Sequence, residues 1–156
     1  EVARLYEVLG YPIDSAVLAQ RFAAFDALGE RAIVAAALDT EKSAQGAPGG
    51  RLLGLASLHA TPVLHRAGPV GRVTTLVVDE RARGQGIGRA LMEAAEAWAV
   101  GRGCVLLEVT SNRRRVEAHA FYERLGYEAT SYRFGKPLEA RRPGTTADGI
   151  ARSVAV

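Results

Sequence analysis

Three glycines stand at positions 84, 86 and 88, between a β-branched run and a long helical pattern. The first N–H groups of a helix have no partner inside the helix, and they lie at the positive end of its dipole. Glycines let an anion approach the main chain and permit positive φ angles. Arg83 and Arg89 add positive charge on either side. The chemistry that this stretch favours is the binding of a phosphate-bearing ligand.

Two other phosphate-binding turns do not match this spacing. A dinucleotide-binding turn has the order G-x-G-x-x-G near a first strand, with an acid about 20 residues later. Here the third glycine is spaced differently, and the earlier strands have the pattern of a hairpin. A Walker A loop needs a Lys directly after its last glycine, and none follows here. A helix that begins after a glycine-rich loop and binds nothing is the other alternative.

A strand must lead into this turn and a helix must leave it. Residues 72–78 predict a strand because five of the seven are β-branched. The spacing of apolar residues predicts a helix from about Gly86 to Arg102, ended by Gly103. Elsewhere the patterns predict helices over 2–9, about 17–28 and about 113–125, strands over 32–38, 52–61 and 105–110, and a final extended strand over 127–138. The expected fold class is α/β, a single α+β domain with a mixed sheet.

Composition narrows the class of protein. A chain of 156 residues, 48% hydrophobic and 24% charged, is typical of one soluble globular domain. A net charge of +3 without a long basic tract argues against general nucleic-acid binding. No apolar run is long enough to cross a bilayer, and the first residues show no signal-peptide pattern. Cys104 alone cannot form an intrachain disulfide. We expect a cytoplasmic protein without a metal site and without membrane contact.

Two stretches in the right order resemble the signatures of the GNAT superfamily of N-acetyltransferases. The first, "LVVDERARGQGIGRALMEAAE", resembles its acyl-CoA-binding motif (Arg/Gln)-x-x-Gly-x-(Gly/Ala), here Arg83, Gly86 and Gly88. The second, "LLEVTSNRRRVEAHAFYERLGYE", resembles a signature with an Asn after a strand and then Phe-Tyr-x-x-x-Gly-(Phe/Tyr), here Asn112, Phe121, Tyr122, Gly126 and Tyr127. The resemblance is strong over residues 72–138 and weaker over 1–61.

The resemblance implies a GNAT-like acyl-CoA N-acyltransferase fold. Such a fold has a central, mostly antiparallel sheet that is splayed between two strands and flanked by helices. It implies that acetyl-CoA is the cosubstrate and that its pyrophosphate lies on main-chain N–H groups of the turn, here Arg83, Gly84, Gln85, Gly86, Ile87, Gly88 and Arg89. It also implies that the pantetheine arm pairs with the strand end at Leu76, Val77 and Val78, and that Asn112 contacts this arm.

The resemblance also implies a general acid, Tyr122. A phenol with a pKa of about 10 can protonate the thiolate that leaves when an amine attacks a thioester. Tyr122 could instead pack its ring into the core as an ordinary helix residue. Many relatives carry a Glu on the strand before the glycine turn, where this chain has no acid. Glu108 on the next strand is one substitute, and the other candidates for the base are His59, His65 and His119.

The ends of the chain give a domain prediction. Residues 1–138 form the N-acetyltransferase domain and residues 139–149 form a linker. The resemblance implies an edge strand before the first helix, and the chain has none there. Residues 150–156 have strand character, so we expect them to supply that strand from the same or a neighbouring chain. The alternative is a disordered tail.

The expected function is transfer of an acetyl group from acetyl-CoA to a primary amine, and the expected acceptor is a small molecule. One alternative is a non-catalytic module that binds or senses acyl-CoA, and another is a protein N-acetyltransferase that docks a peptide. Relatives commonly form dimers, so a homodimer is one expected state. Tyr6, Tyr11, His59 and His65 are candidates for lining the acceptor site, and the sequence does not rank them.

Overall fold

The computed structural model describes residues 1–27, 31–37 and 51–138. These residues form helices α1 (Val2–Val8), α2 (Ser15–Asp26), α3 (Ile87–Gly101) and α4 (Val116–Arg124), and strands β1 (Arg31–Ala37), β2 (Leu52–Thr61), β3 (Val70–Val78) and β4 (Leu106–Val109). A single 3₁₀ turn (Glu80–Ala82) follows β3. Asp14 caps α2 by accepting the N–H groups of Ala16 and Val17.

The four strands form one sheet in the order β1-β2-β3-β4. The pairs β1–β2 and β2–β3 are antiparallel, and the pair β3–β4 is parallel. Parallel neighbours need a crossover, and α3 provides it between β3 and β4. The prediction of a mixed, mostly antiparallel sheet flanked by helices is confirmed.

Helices cover both faces of this sheet. On one face α1 buries Leu5 against Leu55 and Val77. On the other face α3 forms two clusters, in which Ala56, Ala82, Ile87 and Leu91 pack together and Leu58, Val73, Met92 and Ala95 pack together. Leu55 and Ala56 point to opposite faces because successive side chains of a strand alternate. The sheet therefore has one face covered by α1, the α1 face, and one face covered by α3, the α3 face.

Two predictions near the second signature were wrong in detail. Helix α4 begins at Val116 rather than near residue 113, because Asn112 accepts the N–H groups of Arg114 and Arg115 and closes a turn first. The final strand predicted over 127–138 is neither strand nor helix in the described structure. Tyr132 and Phe134 there are exposed. A strand needs a neighbouring edge, which the alternation of residue types does not reveal.

Part of the predicted architecture falls outside the described residues. The predicted linker over 139–149 and the predicted strand over 150–156 both lie there, as do residues 28 and 38 at the predicted ends of a helix and a strand.

Candidate active site

The turn between β3 and α3 leaves a helix N-terminus without a side-chain cap. Gly84 and Gly86 have φ angles of 76° and 80°. A residue with a Cβ adopts such angles at a cost of about 1–2 kcal/mol. Gly86 is the N-cap of α3 and has no side chain to accept the first N–H groups. Apart from the adjoining residues, no atom of the described chain lies within 4 Å of where a Cβ would stand on either glycine, which leaves space beside the turn for an anion.

The other residues of the predicted phosphate cradle divide between the surface and the core. Arg83 is exposed and lies 3.6 Å from the Glu80 carboxylate, and Arg89 is also exposed. Gln85 donates to the Arg81 carbonyl oxygen at 3.2 Å, which holds the turn. The side chain of Ile87 is buried among the residues that pack α3 on the sheet. Ile87 thereby fixes the start of the helix to the core, and no side chain caps it.

Asp79 anchors the entrance of this turn. Its side chain is buried and forms ion pairs with Arg4 and, at 2.8 Å, with Arg51, while it also accepts the N–H of Arg81 at 3.0 Å. These cations and the N–H hold the pKa of the Asp79 carboxyl well below its usual range. Sequence reasoning missed this anchor. Its signal was an acid placed directly after a strand and before a turn, the position of an N-cap.

Gly88 brings the two signatures into contact. A Cβ on Gly88 would lie 3.3 Å from Cζ of Phe121 on α4 and 3.7 Å from Cγ2 of Val78 on β3. A contact of 3.3 Å is tighter than ordinary packing, so the missing side chain lets Phe121 sit against the first turn of α3. The ring of Phe121 in turn meets the ring of Tyr122 edge to face, with centroids 5.3 Å apart.

Strands β3 and β4 pair along only part of their length. Their last paired residues are Val73 and Val109, and β3 continues beyond this point to Val78. The edge of β3 from Thr74 to Val78 therefore has no strand beside it among the described residues, although its other edge pairs with β2. The predicted arm-binding residues Leu76, Val77 and Val78 all lie on this stretch. An unpaired edge offers N–H and C=O groups to an extended ligand.

A β-bulge lies where the pairing with β4 ends. Ser57 faces Thr75 and Leu58 faces Val73, so Thr74 is an extra residue on β3. The Thr74 hydroxyl lies 2.9 Å from the Ser57 hydroxyl and donates to the Ser57 carbonyl oxygen at 3.2 Å. A bulge bends its strand and increases the local twist. Bending β3 here is a local cause of its separation from β4.

Tyr122 has a largely buried ring and a hydroxyl without a hydrogen-bond partner in the described part of the chain. Its ring packs against the cluster that contains Val73 and Met92, close to the last paired position of β3. Burial raises the pKa of Tyr122, and the positive charge of Arg115 opposes part of that rise. A phenol in this state stays protonated at neutral pH and can donate its proton.

Glu108 lies on β4 directly across from Arg72 on β3. Both Nε and Nη2 of Arg72 contact Oε1 of Glu108, with Nε at 2.6 Å. Oε2 has no bond partner among the residues described. The neighbours of Glu108 along the strand pack against the cluster under α3, so Glu108 itself points to the α1 face. Tyr122 packs on the α3 side of the sheet, so the candidate acid and the candidate base approach the separated strands from opposite faces.

Asn112 closes the loop between β4 and α4. Its Oδ1 accepts the N–H of Arg114 at 2.9 Å, and its carbonyl oxygen accepts the N–H of Arg115 at 2.9 Å. Its amide Nδ2 makes no hydrogen bond to a described residue, so two donors remain for a ligand.

The three histidines considered as alternative bases occupy different places. His119 lies on α4, where Nε2 is 3.0 Å from the Asn112 carbonyl oxygen, so one ring nitrogen is engaged in holding the loop. His59 faces Arg72 across the β2–β3 pair. His65 is exposed in the loop after β2. The structure does not bring the three together at one point.

The described ranges lack two kinds of feature. Across residues 1–27, 31–37 and 51–138, no helix is long and apolar enough to span a bilayer. Within the same ranges, no group of His, Cys, Asp and Glu side chains is arranged to hold a metal ion.

Comparison with known proteins identifies the family. Residues 14–127 match the model of the acetyltransferase (GNAT) family. An aminoalkylphosphonate N-acetyltransferase of Salmonella typhimurium is 42% identical over 57% of this chain and 58% of its own. Glucosamine 6-phosphate N-acetyltransferase 1 of Oryza sativa is 30% identical over 80% of this chain and 70% of its own.

A solved structure agrees with these sequence matches. A Trypanosoma brucei acetyltransferase superimposes with a TM-score of 0.65 at 27% identity, over 86% of this chain and 87% of its own. The chain spans about half the length of several curated relatives that it matches, including 58% of the Salmonella protein. The uncapped glycine turn, the partly paired strands β3 and β4 and the family match agree, and the chain belongs to the GNAT family of acetyltransferases.

Proposed function

We propose that this protein transfers the acetyl group of acetyl-CoA to the primary amine of a small molecule, by direct attack of the amine while both substrates are bound. The observation that carries the proposal is the unpaired edge of β3 beyond Val73, which begins beside Tyr122 and ends at the glycine turn. An extended thioester ligand with a phosphate at one end fits such an edge. This is the activity that membership of the family favours.

The residues available fit coenzyme A. The uncapped N-terminus of α3, with Gly84 and Gly86 in left-handed conformations, suits the pyrophosphate, and Arg83 and Arg89 supply positive charge nearby. Along the open edge, Leu76 and Val78 offer their main-chain groups to the amides of the pantetheine arm, while the main-chain groups of Val77 between them face β2. Asn112 retains two amide donors for the same arm.

Two side chains divide the proton transfers. An alkyl amine is mostly protonated at neutral pH and must lose a proton before it attacks. We assign that proton to Oε2 of Glu108, directly or through water, because Arg72 occupies only Oε1. As the nitrogen bonds to the acetyl carbon, the carbon–sulfur bond breaks, and the Tyr122 hydroxyl gives its proton to the departing thiolate. The nitrogen then gives up its second proton, which restores the Tyr122 hydroxyl directly or through water. The N–H of Asp79 bonds the Leu53 carbonyl oxygen on the β2 side, so the N–H of Val77 faces β2 as well and that of Val78 faces the open edge. The Val78 N–H is the candidate to polarise the acetyl carbonyl.

The acceptor amine enters from the α1 face in this mechanism, because Glu108 points there. On that face the Tyr6 hydroxyl lies 3.4 Å from Oγ1 of Thr75, on the unpaired stretch of β3. Relatives bearing the names aminoalkylphosphonate, glucosamine 6-phosphate and aminoglycoside N-acetyltransferase all take small amines by those names. These names support a small-molecule amine rather than a peptide for this protein.

The test is release of free thiol from acetyl-CoA over a panel of amines. The panel contains aminoalkylphosphonates, amino sugars with and without phosphate, aminoglycosides and peptides with a free N-terminus, each with wild type and Tyr122→Phe. We expect turnover with at least one small amine and a large loss of kcat in the variant. Acetyl-CoA binding without turnover of any amine would favour the non-catalytic module, and turnover of peptides alone would favour the protein N-acetyltransferase.

A further inference from the structure

Arg115 links two elements that are far apart in sequence. It is the N-cap residue of α4, the helix that carries Tyr122. Its Nη2 donates to the carbonyl oxygen of Leu9 at 2.7 Å, across 106 residues of chain. Leu9 is the C-cap of α1, where carbonyl groups lack partners within the helix and where a cation is favoured by the helix dipole.

The base of the Arg115 side chain is firmly held. The N–H of Arg115 donates to the Asn112 carbonyl oxygen at 2.9 Å, and its own carbonyl accepts the N–H groups of Ala118 and His119 at 3.0 and 3.1 Å. The His119 ring also lies within hydrogen-bond distance of the same Asn112 carbonyl. A guanidinium on such a rigid base transmits the position of α4 to α1 rather than only filling space.

Before its C-terminus, α1 packs against β3. Leu5 is fully buried against Leu55 and Val77, and the Tyr6 hydroxyl lies near Thr75. Both β3 residues belong to the stretch that β4 leaves unpaired. Helix α1 therefore reaches from side chains on the unpaired stretch of β3 to the guanidinium of Arg115, on the face from which the acceptor amine would enter.

We propose that Arg115 is a positioning residue that couples α1, on the acceptor side of the sheet, to the acid on α4, an inference that rests on the proposed function. Arg115 fixes the C-terminus of α1 relative to α4, so that the amine and the proton donor are aligned together. This positioning does not require Arg115 to touch a substrate.

The charge of Arg115 gives this coupling a second, electrical route. Burial raises the pKa of Tyr122, and Arg115 opposes that rise. A second titratable group beside Tyr122 is Tyr127, whose ring centroid is 6.1 Å away and whose hydroxyl donates to Glu96 at 2.9 Å. Tyr127 is neutral at neutral pH, so Arg115 is the cation in this group that can be removed without changing the partners of Tyr122.

The first test is a double-mutant cycle with Arg115→Gln and Tyr122→Phe. Arg124→Gln is the control, since it removes the same charge from an exposed site at the other end of α4. We expect Arg115→Gln to lower kcat about five- to twentyfold and to raise KM for the amine, with KM for acetyl-CoA changed by less than about twofold. In the Tyr122→Phe background the same change should lower kcat by less than about twofold, because the coupled group is already gone. Arg115→Lys should restore part of the loss.

The second test does not need turnover, so it separates this inference from the proposed function. The difference between each protein and its Tyr122→Phe partner in phenolate absorbance gives the titration of Tyr122, and we expect Arg115→Gln to move it to higher pH. Amide exchange at Gly10 and Tyr11, whose N–H groups close the end of α1, should become faster in the same variant. If wild type turns over no amine, this pair of measurements alone decides the matter. Arg115→Gln behaving like Arg124→Gln in titration and exchange, or losing equal activity with and without the Tyr122 hydroxyl, overturns the coupling.

Discussion

Arg72 and Glu108 form an ion pair across the parallel strands β3 and β4, one position before the two strands stop pairing. The guanidinium uses a single carboxylate oxygen for both of its contacts. The pair thus joins the strands at the end of their contact while leaving Oε2 toward the α1 face. Glu108 has two conceivable roles here, one in an ion pair that holds the strands together and one as a proton acceptor. The roles can be distinguished, because the ion pair needs both side chains and the proton acceptor needs only Glu108.

The comparison of Glu108→Gln with Arg72→Gln makes that distinction. Each substitution breaks the ion pair, but only the first removes the proposed proton acceptor. We expect kcat/KM for the amine to fall about a hundredfold in Glu108→Gln and by less than about fivefold in Arg72→Gln. Steady-state kinetics with a saturating level of acetyl-CoA measures both. Equal losses in the two variants would show that Glu108 only holds the two strands together and that the general base is another residue.

Tyr122→Phe removes the hydroxyl and keeps the ring in its cluster. We expect kcat to fall about 10²–10⁴-fold while acetyl-CoA binding is unchanged. Because the pKa of Tyr122 is raised above its ordinary value of about 10, the protonated acid persists up to that pH, and wild-type activity should show no alkaline loss from this group below it. A pH–rate profile with matched circular dichroism checks this.

Tyr127→Phe is the matched control for the acid. Tyr127 belongs to the same aromatic cluster and loses its bond to Glu96 when its hydroxyl is removed. We expect a modest loss of stability and kcat within about threefold of wild type, since the cost of one hydrogen bond is about 1 kcal/mol. A comparable collapse of kcat in both variants would contradict the assignment of the acid to Tyr122.

Pyrophosphate binding at the glycine turn can be tested by comparing Gly86 with a control glycine that has a similar positive φ angle and no proposed ligand. Gly86 and Gly103 lie at opposite ends of α3, with φ angles of 80° and 69°. Apart from the adjoining residues, a Cβ added to either would meet no atom of the described chain within 4 Å. Alanine at either site should destabilise the fold by about 1–2 kcal/mol, measured by urea unfolding. Only Gly86→Ala should also weaken acetyl-CoA binding, by about tenfold or more, in calorimetric titration. Equal binding of acetyl-CoA by the two variants would show that the pyrophosphate does not bind at this turn.

The Asp79 anchor gives a stability prediction with a defined pH range. The pKa of Asp79 is lowered in the folded state, so its charged form favours folding above the unfolded value of about 3.9, and this contribution is lost as pH falls further toward the folded pKa. Asp79→Asn should therefore unfold at lower urea than wild type at pH 7, with a gap that narrows below about pH 4. Asp14→Asn keeps an N-cap and should unfold like wild type. A gap independent of pH would show that the ion pairs of Asp79 are not its cause.

The sequence predicted those parts of the fold that local patterns encode. The β-branched residues of β3, the apolar stripe of α3 and the glycines between them are local signals, and each element was found within a few residues of its expected place. The second signature likewise placed Phe121 and Tyr122 on one helix, and α4 contains both.

What local patterns did not predict depends on partners distant in sequence. Asp79 owes its ion pairs to Arg4 on α1 and to Arg51 just before β2, and Arg115 owes its long-range hydrogen bond to Leu9. Glu108 was named for its type and strand, yet its pairing with Arg72 follows from the register of two parallel strands. Residue spacing within one segment carries no information about such contacts, because they arise only when the sheet is assembled.

The bulge at Thr74 divides β3 into two halves of opposite phase. Val73 faces α3, and so do Leu76 and Val78, although their positions differ from that of Val73 by odd numbers. In an unbroken strand that includes Thr74, either the front half or the rear half would turn its apolar side chains toward the wrong helix. The extra residue thus shifts the alternation of side chains by one position. The residues before it pair with β4, and the residues after it form the unpaired edge. Deleting Thr74 would straighten the strand yet keep every other side chain on its present face. The effect of the bend in β3 can therefore be tested without changing which side chains are buried.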